Sequence, residues 1–90
     1  VSNSVTINAN GFSLTIPSGN LTIPTGNSLI WSSNNLIVAL GANIVNNGTL
    51  CNNGIIDYNN PTAWTNTGLY KGTGTFNGSF TNNGTFSPGN

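Results

Sequence analysis

Side chains able to do chemistry are scarce in this chain of 90 residues. It has one side-chain carboxylate, Asp57, one amine, Lys71, one thiol, Cys51, and no histidine. Hydrolysis by paired carboxylates, nucleophilic catalysis with a histidine base, and ordinary zinc or calcium sites all need groups that are missing. We therefore predict that the protein is not an enzyme and that it uses no cofactor and no metal. Asp57 and Lys71 are interpreted as a surface ion pair.

Cys51 is the only cysteine, so no disulfide bond can form within one chain. Its odd-numbered position on a predicted strand turns it away from the predicted interior. One interpretation makes it a small apolar filler, and the alternative makes it a reactive thiol or the partner in an intermolecular disulfide.

Four tripeptides match the acceptor pattern for N-glycosylation. They begin at Asn20, Asn47, Asn77 and Asn83. A chain this rich in asparagine and threonine produces such matches by chance. Asparagine side chains stacked between successive rungs would form ladders of amide hydrogen bonds, and we prefer that explanation for the asparagine excess.

The near absence of charge limits the partners of this protein. Charged residues make up 2% of the chain, whereas soluble domains usually contain about a quarter. One lysine cannot neutralise a row of phosphates, so we predict no nucleic-acid partner. The longest apolar run, residues 36–40, is too short to span a membrane, so we predict no membrane insertion. Without net charge, copies of the chain do not repel one another, and self-association is expected.

A corner residue returns at every sixth position from residue 46 to residue 90. The corner is always Gly or Asn, the types that enter the left-handed region most easily. Short strands joined by regular sharp corners predict an all-β fold with no helix, specifically a β-solenoid. Coils of twelve or eighteen residues both fit the spacing, and three-sided coils are favoured. The corners are Gly48, Gly54, Asn60, Asn66, Gly72, Gly78, Gly84 and Asn90.

Alternation along the second half of the chain predicts which side chains face the interior. Large apolar residues occupy even positions, whereas odd positions carry mostly Thr, Asn and Ser, so amides are expected outside. Ile55 and Leu69 are exceptions and are expected to be partly exposed. The predicted interior set is Leu50, Ile56, Tyr58, Trp64, Tyr70, Phe76, Phe80 and Phe86, with the small residues Thr62, Gly68 and Gly74 between them.

The chain is predicted to be a single solenoid domain, 1–90, with irregular strands in 1–45 and the six-residue corner repeat in 46–90. Residues 13–19 and 20–26 are a duplication, each a short strand closed by a Pro-x-Gly turn. Residues 36–40 are consecutively apolar, which favours either a core strand or a strand covered by a neighbouring subunit. This candidate self-association segment consists of Leu36, Ile37, Val38, Ala39 and Leu40.

Residues 72–78 (GTGTFNG) and 81–90 (TNNGTFSPGN) resemble the repeats of large bacterial surface proteins, including autotransporter-associated β-strand repeats and secreted adhesins. Residues 46–50 (NNGTL) and 52–56 (NNGII) resemble the same repeats more weakly. The resemblance implies a secreted β-helix that serves display, adhesion or fibre building, located outside the cell or on its surface.

Two functions are weighed from the sequence. The leading hypothesis is a non-enzymatic structural module that stacks or polymerises with copies of itself into an extracellular fibre or surface stalk. The alternative is an adhesin module that binds surface glycans or ice through a face rich in Thr and Asn.

Overall fold

The computed structural model describes residues 3–7, 13–32 and 34–88. Within these ranges the chain forms β-strands and no helix, as predicted. The strands are β1 (Asn3–Ile7), β2 (Leu14–Ile16), β3 (Gly19–Ile23), β4 (Asn27–Trp31), β5 (Asn35–Val38), β6 (Ala42–Asn46), β7 (Thr49–Asn52), β8 (Ile55–Tyr58), β9 (Trp64–Asn66), β10 (Leu69–Gly72), β11 (Thr75–Asn77), β12 (Phe80–Asn82) and β13 (Thr85–Pro88).

The strands stack into a three-sided β-solenoid of about four turns. One side is the parallel sheet β1-β4-β7-β10-β13, and the second is β2-β5-β8-β11. The third side is divided into the pairs β3-β6 and β9-β12. Every ladder joins strands three elements apart, because each turn contributes one strand to each side. The predicted solenoid fold and its three-sided coil are confirmed.

The coils become smaller toward the C-terminal end. On the first side, Asn3 pairs with Asn27, whereas Thr49 pairs with Leu69 and Leu69 pairs with Thr85. The number of residues from one partner to the next falls at each of these steps. It is never twelve or eighteen residues, so the expected coil lengths were wrong. The connections between strands differ in length, as in the five-residue loop 59–63 between β8 and β9, so the six-residue period does not hold around a full turn.

Most of the interior is a column of packed apolar side chains. Burying each large apolar side chain contributes roughly 1.5–3 kcal/mol, so this column is the main source of stability. The predicted interior positions Leu50, Ile56, Tyr58, Trp64 and Tyr70 are buried, and Ile55 and Leu69 are half-buried, as expected. The remaining members of the core are Ile23, Leu29, Trp31, Leu36, Val38, Ala42 and Ile44.

The prediction of an enclosed interior fails toward the C-terminal end. Phe76 and Phe80 are only half-buried, and Phe86 is 49% exposed. These rings belong to the last coil, and a solenoid interior is covered only where another coil lies on it. Thr62, also expected inside, is exposed because it lies in the loop 59–63 rather than on a strand.

Glycine has two different roles in this fold. In the duplicated Pro-x-Gly turns, Gly19 and Gly26 have φ of 78° and 84°, so the predicted left-handed turns are confirmed. On the six-residue grid, however, Gly48 and Gly84 do not have positive φ, so the left-handed explanation was wrong there. Positive φ occurs on that grid at Gly72 and Gly78.

Glycines without positive φ are required where the backbones of stacked corners touch. A Cβ atom on Gly68 would lie 2.3 Å from the carbonyl oxygen of Gly48, and one on Gly84 would lie 2.1 Å from that of Gly68. The same corners continue the ladder, since the N–H of Leu69 donates to Gly48 O and that of Thr85 to Gly68 O. The column Gly48, Gly68 and Gly84 therefore lets successive coils approach at hydrogen-bonding distance.

We expect Gly68→Ala to destabilise the solenoid by about 3 kcal/mol or more, because the new methyl group overlaps backbone that cannot move independently of its ladder. Gly26→Ala is the matched control, since a Cβ atom there meets nothing within 4 Å and costs only the ~1–2 kcal/mol of a left-handed alanine. Unfolding in denaturant followed by circular dichroism measures both. Equal losses in the two variants would contradict the stacking role.

Candidate functional site

The C-terminal end of the solenoid leaves three strand edges open. β11, β12 and β13 each lie at the edge of their ladder, and no strand of the described part of the chain covers their outer side. An open edge presents backbone N–H and C=O groups that can pair with another strand. The end is therefore a surface on which a further coil can be added.

Aromatic rings fill the interior next to these edges. Phe80 lies beside Trp64 in the ladder register, with ring centroids 5.0 Å apart. Phe86 lies beside Tyr70, with centroids 5.4 Å apart and the rings stacked. Each ring thus packs on the ring of the preceding coil. On Phe86 the series ends with one face turned to solvent.

The open end encloses a cleft of about 710 Å³. Four aromatic side chains form its apolar floor, and small or polar residues form its rim. The cleft contains no charged side chain, so it suits an apolar layer or the apolar face of a sugar ring rather than an ion. Its lining residues are Tyr70, Phe76, Phe80 and Phe86 in the floor, with Gly72, Thr73, Gly74, Gly78 and Asn82 in the rim.

A ladder of asparagine amides runs along the interior to the same end. Asn46 and Asn66 have no exposed surface. Nδ2 of Asn46 donates to Oδ1 of Asn66 at 2.8 Å, and Nδ2 of Asn66 donates to Oδ1 of Asn82 at 2.9 Å. The amides also reach the backbone of the following coil, at Leu69 O and Thr85 O. The predicted amide ladders are present, but inside the solenoid, so the expectation that amides face outward was wrong at these positions.

Asn82 ends this ladder at the open surface. Its Oδ1 accepts from Asn66, and its Nδ2 lies 3.2 Å from the carbonyl oxygen of Gly84. Asn82 is exposed, and the position where a following coil would offer a carbonyl group opens to solvent. At the opposite end of the ladder, Asn46 Oδ1 is buried without a hydrogen-bond partner, because Ile23 precedes Asn46 in the register.

A second buried amide holds the tyrosine in the floor of the cleft. Asn52 donates from Nδ2 to the Tyr70 hydroxyl and to Thr75 O, both at 2.9 Å. Burial raises the pKa of Tyr70 above 10.0; the Asn52 hydrogen bond lowers it and nearby Cys51 raises it. Burial also raises the pKa of Tyr58, whose hydroxyl donates to Asn43 Oδ1 at 3.1 Å.

These shifts predict that the solenoid loses stability in alkali. Above a pH of about 10, tyrosine ionises in the unfolded chain before it does so in the folded one. The free energy of unfolding is then unaffected below that pH and falls as the pH rises past it. In Tyr70→Phe the fall in midpoint temperature between about pH 8 and pH 11 should be smaller than in the parent chain. An identical fall would contradict the role of Tyr70.

Asp57 and Lys71 do not form the predicted ion pair. The Asp57 carboxylate instead accepts hydrogen bonds from Asn35 Nδ2 at 2.5 Å and from Asn77 Nδ2 at 2.8 Å. Asn77 lies beside Asp57 in the β8–β11 ladder, so the amide reaches the carboxylate directly. The only acidic side chain of the sequence therefore joins three neighbouring coils on the second side.

Cys51 and the segment 36–40 lie away from the open end. Cys51 is 5% exposed and stands between Ile30 and Lys71 in the first sheet, which fits a packing role better than a reactive one. Leu36 and Val38 are core residues, so only the outer side chains of that segment are available to a neighbour. Self-association there stays a prediction for Ile37 and Ala39, which are half-buried, and for Leu40, which is 69% exposed.

The four candidate glycosylation sites are all accessible. Asn20, Asn47, Asn77 and Asn83 are exposed, although Asn47 also accepts a hydrogen bond from Thr67 at 3.0 Å. Their modification stays a prediction. None of them lines the cleft.

The interior asparagines were missed by the sequence reasoning, although a signal was available. Asn46, Asn52 and Asn66 occupy even positions, the same parity as the buried apolar residues. A polar residue at a core parity that recurs on successive coils indicates a buried ladder, because each amide then has a neighbour able to satisfy it.

Among the described residues there is no helix that could span a membrane, and these residues contain no cluster of metal-binding side chains. The geometry defines the described residues as a β-solenoid whose last described coil carries an uncovered aromatic surface. Comparisons with protein-family models, with curated proteins and with solved structures found no match to this chain.

Proposed function

We propose that this protein is a non-enzymatic structural module that associates end to end with copies of itself to build an extracellular fibre or surface stalk. The observation that carries the proposal is the open end, where β11, β12 and β13 offer unpaired edges around an apolar cleft. Natural proteins usually cover such edges or protect them with charge. Here the edge strands carry no charged residue.

The composition and the opposite end support the same proposal. The chain has zero formal net charge, so neighbouring copies experience no net repulsion. At the N-terminal end β2 is an edge strand and Leu14 is 41% exposed. Both ends of the described solenoid thus present apolar side chains that a further coil would bury.

The proposed location is outside the cell, in a protein of the adhesin or autotransporter-passenger type. The support is the resemblance of residues 72–78 and 81–90 to such repeats, together with the buried asparagine ladder, which stabilises the fold without charged groups. Enzymatic activity is not proposed, because the interior holds amides and aromatic rings rather than acid and base pairs.

A glycan-binding module is the second candidate, because the exposed ring of Phe86 beside Asn82 combines a stacking surface with a hydrogen-bonding amide. Ice binding has less support. Thr65 pairs with Thr81, but the row of Thr15 on the second side continues with Ile37 and Asp57 rather than with threonine.

Negative-stain microscopy and light scattering of the purified chain test the proposal. We expect filaments or stacked particles whose mass grows with protein concentration. Monodisperse monomers that bind a glycan array would overturn the structural role and favour the second candidate. Phe86→Ala should abolish glycan binding in that case, with Leu40→Ala as the control on a distant exposed apolar residue.

A further inference from the structure

We propose that Asn47 is a site of spontaneous modification, where the side-chain amide is lost and aspartate or isoaspartate replaces the asparagine. This modification is independent of the proposed function. The dipeptide Asn-Gly places a side-chain amide carbon next to a main-chain nitrogen that no Cβ atom of its own residue hinders. The dipeptide occurs four times, beginning at Asn47, Asn53, Asn77 and Asn83. The structure distinguishes the first of these from the second.

The reaction needs no partner except water. The main-chain nitrogen of Gly48 attacks Cγ of Asn47 and closes a five-membered succinimide ring, an intramolecular step that gains from proximity. The bond from Cγ to Nδ2 breaks, and Nδ2 leaves as ammonia with the proton that the Gly48 nitrogen gives up. Water then opens the ring. Opening at Cγ gives aspartate, and opening at the main-chain carbonyl carbon gives isoaspartate.

The dipeptides at Asn47 and Asn53 form a matched pair, because described residues hold each of them from both neighbouring coils. Both asparagines are exposed and both glycines are half-buried. In each corner the asparagine N–H donates to the preceding coil, and the glycine carbonyl accepts from the following coil. The four bonds, all between 2.7 and 2.9 Å, run from Asn47 N to Ile23 O, Asn53 N to Trp31 O, Leu69 N to Gly48 O and Thr75 N to Gly54 O.

The nitrogen of Gly48 is the less restrained nucleophile of the two. The N–H of Gly54 donates to Asn52 Oδ1 at 3.1 Å, which closes that corner. The equivalent bond is missing beside Gly48. Asn46 Oδ1 is buried without a partner, and the Gly48 N–H has no acceptor among the described residues. The Gly48 nitrogen can therefore turn toward Cγ without breaking a hydrogen bond.

The side chain of Asn47 is also held more weakly than that of Asn53. Asn53 Oδ1 accepts from the Thr73 N–H at 3.1 Å and lies 3.4 Å from the Thr73 hydroxyl. Asn47 Oδ1 meets the Thr67 hydroxyl at 3.0 Å, but that hydroxyl also lies 2.8 Å from Asn46 O. A hydroxyl group has one proton, so it cannot donate fully to both acceptors. To reach its own following nitrogen, Asn53 must give up a main-chain donor, whereas Asn47 gives up only a shared contact.

The isoaspartate product would disturb the stacking of the coils. Isoaspartate lengthens the main chain by one carbon atom between the Asn47 N–H, which donates to Ile23 O, and Gly48 O, which accepts from Leu69. The two bonds cannot then both keep their register. We therefore expect the aged protein to unfold at a lower denaturant concentration than the fresh protein.

Mass spectrometry of aged protein tests the modification. The folded chain is kept in mildly alkaline buffer at body temperature, and a second sample is kept in the same buffer with denaturant. Chymotrypsin cleaves after Leu40, Leu50 and Tyr58, so the two dipeptides fall in separate peptides, 41–50 and 51–58. Digestion in heavy-oxygen water identifies, by its larger mass, any conversion that occurs during digestion. Fragment spectra assign the converted residue.

In the folded protein we expect conversion at Asn47 to be at least about fivefold faster than at Asn53, the factor that one net hydrogen bond gives. In denaturant the two rates should be similar, because each dipeptide follows an asparagine. The Asn47→Ser variant is the control and should leave peptide 41–50 unconverted. Equal rates in the folded protein, or conversion at neither residue, would overturn the inference. The same preference for Asn47 in denaturant would assign it to the local sequence and would also overturn the inference.

Discussion

Leu50→Lys is expected to unfold the solenoid. Leu50 has no exposed surface and lies between Leu29 and Tyr70 in the ladder of the first side. The substitution removes a buried apolar group, worth about 2–5 kcal/mol when truncated, and places an unpaired ammonium group in the core at a further cost of several kcal/mol. The sum approaches the whole stability of a small domain, about 5–15 kcal/mol.

The measurement is circular dichroism with denaturant unfolding, and two controls define the cause. Thr81→Lys adds the same charge at an exposed position of β12 and should change stability by less than about 0.5 kcal/mol. Leu50→Ala should remain folded with a loss within the truncation range above, which separates the cavity from the charge. If the Leu50→Lys chain folded and had the same denaturant midpoint as Thr81→Lys, the assignment of Leu50 to the interior would be disproved.

Asn66→Ala is expected to be the most damaging polar substitution. The change removes the acceptor of Asn46 Nδ2 and the donor to Asn82 Oδ1, in a position without solvent. Each buried group left without a partner costs about 1–3 kcal/mol. Because Asn46 Oδ1 already lacks a partner, the whole Asn46 amide would then depend on its contact with Leu69 O. We expect a total loss of about 3 kcal/mol.

Asn83→Ala serves as the control, since Asn83 is an exposed corner residue and should cost less than about 0.5 kcal/mol. Asn66→Asp adds a pH test. Burial raises the pKa of a carboxyl group, so this variant should be more stable in acid, where it is neutral and keeps one donor, than at neutral pH. A loss in Asn66→Ala no larger than in Asn83→Ala would show that the ladder contributes nothing to stability.

Much of the fold could be predicted from short stretches of the sequence. Alternation at even positions identified Leu50, Ile56, Trp64 and Tyr70 as interior residues, because strand geometry turns successive side chains to opposite faces whatever the rest of the chain does. The Pro-x-Gly turns at Gly19 and Gly26 were also predictable, because proline fixes its own φ and glycine adopts positive φ without steric cost. Such features depend on a few consecutive residues.

The candidate site was predictable only in part. The aromatic residues were identified, but their parity made Phe86 an interior residue, and it is exposed. An even or odd position determines to which face of the strand a side chain points. Whether another coil covers that side chain depends on the coil that stacks on it. Asp57 shows the same limit, since its partners Asn35 and Asn77 lie on the two neighbouring coils.

The amino-acid sequence by itself determined the all-β class of the described chain, the Pro-x-Gly turns at Gly19 and Gly26 and the inward parity of the second half, because each follows from steric preferences within a few residues. It did not determine the corners of the six-residue grid, since the predicted corner Asn66 is the last residue of β9 and is buried. Only the tertiary structure decided the size of each coil, the stacking of Gly48 under Gly68, and the alignment of Asn46 with Asn66. Those depend on which residues of neighbouring coils meet, and that register is set by connections of unequal length and by the packing of whole coils against one another.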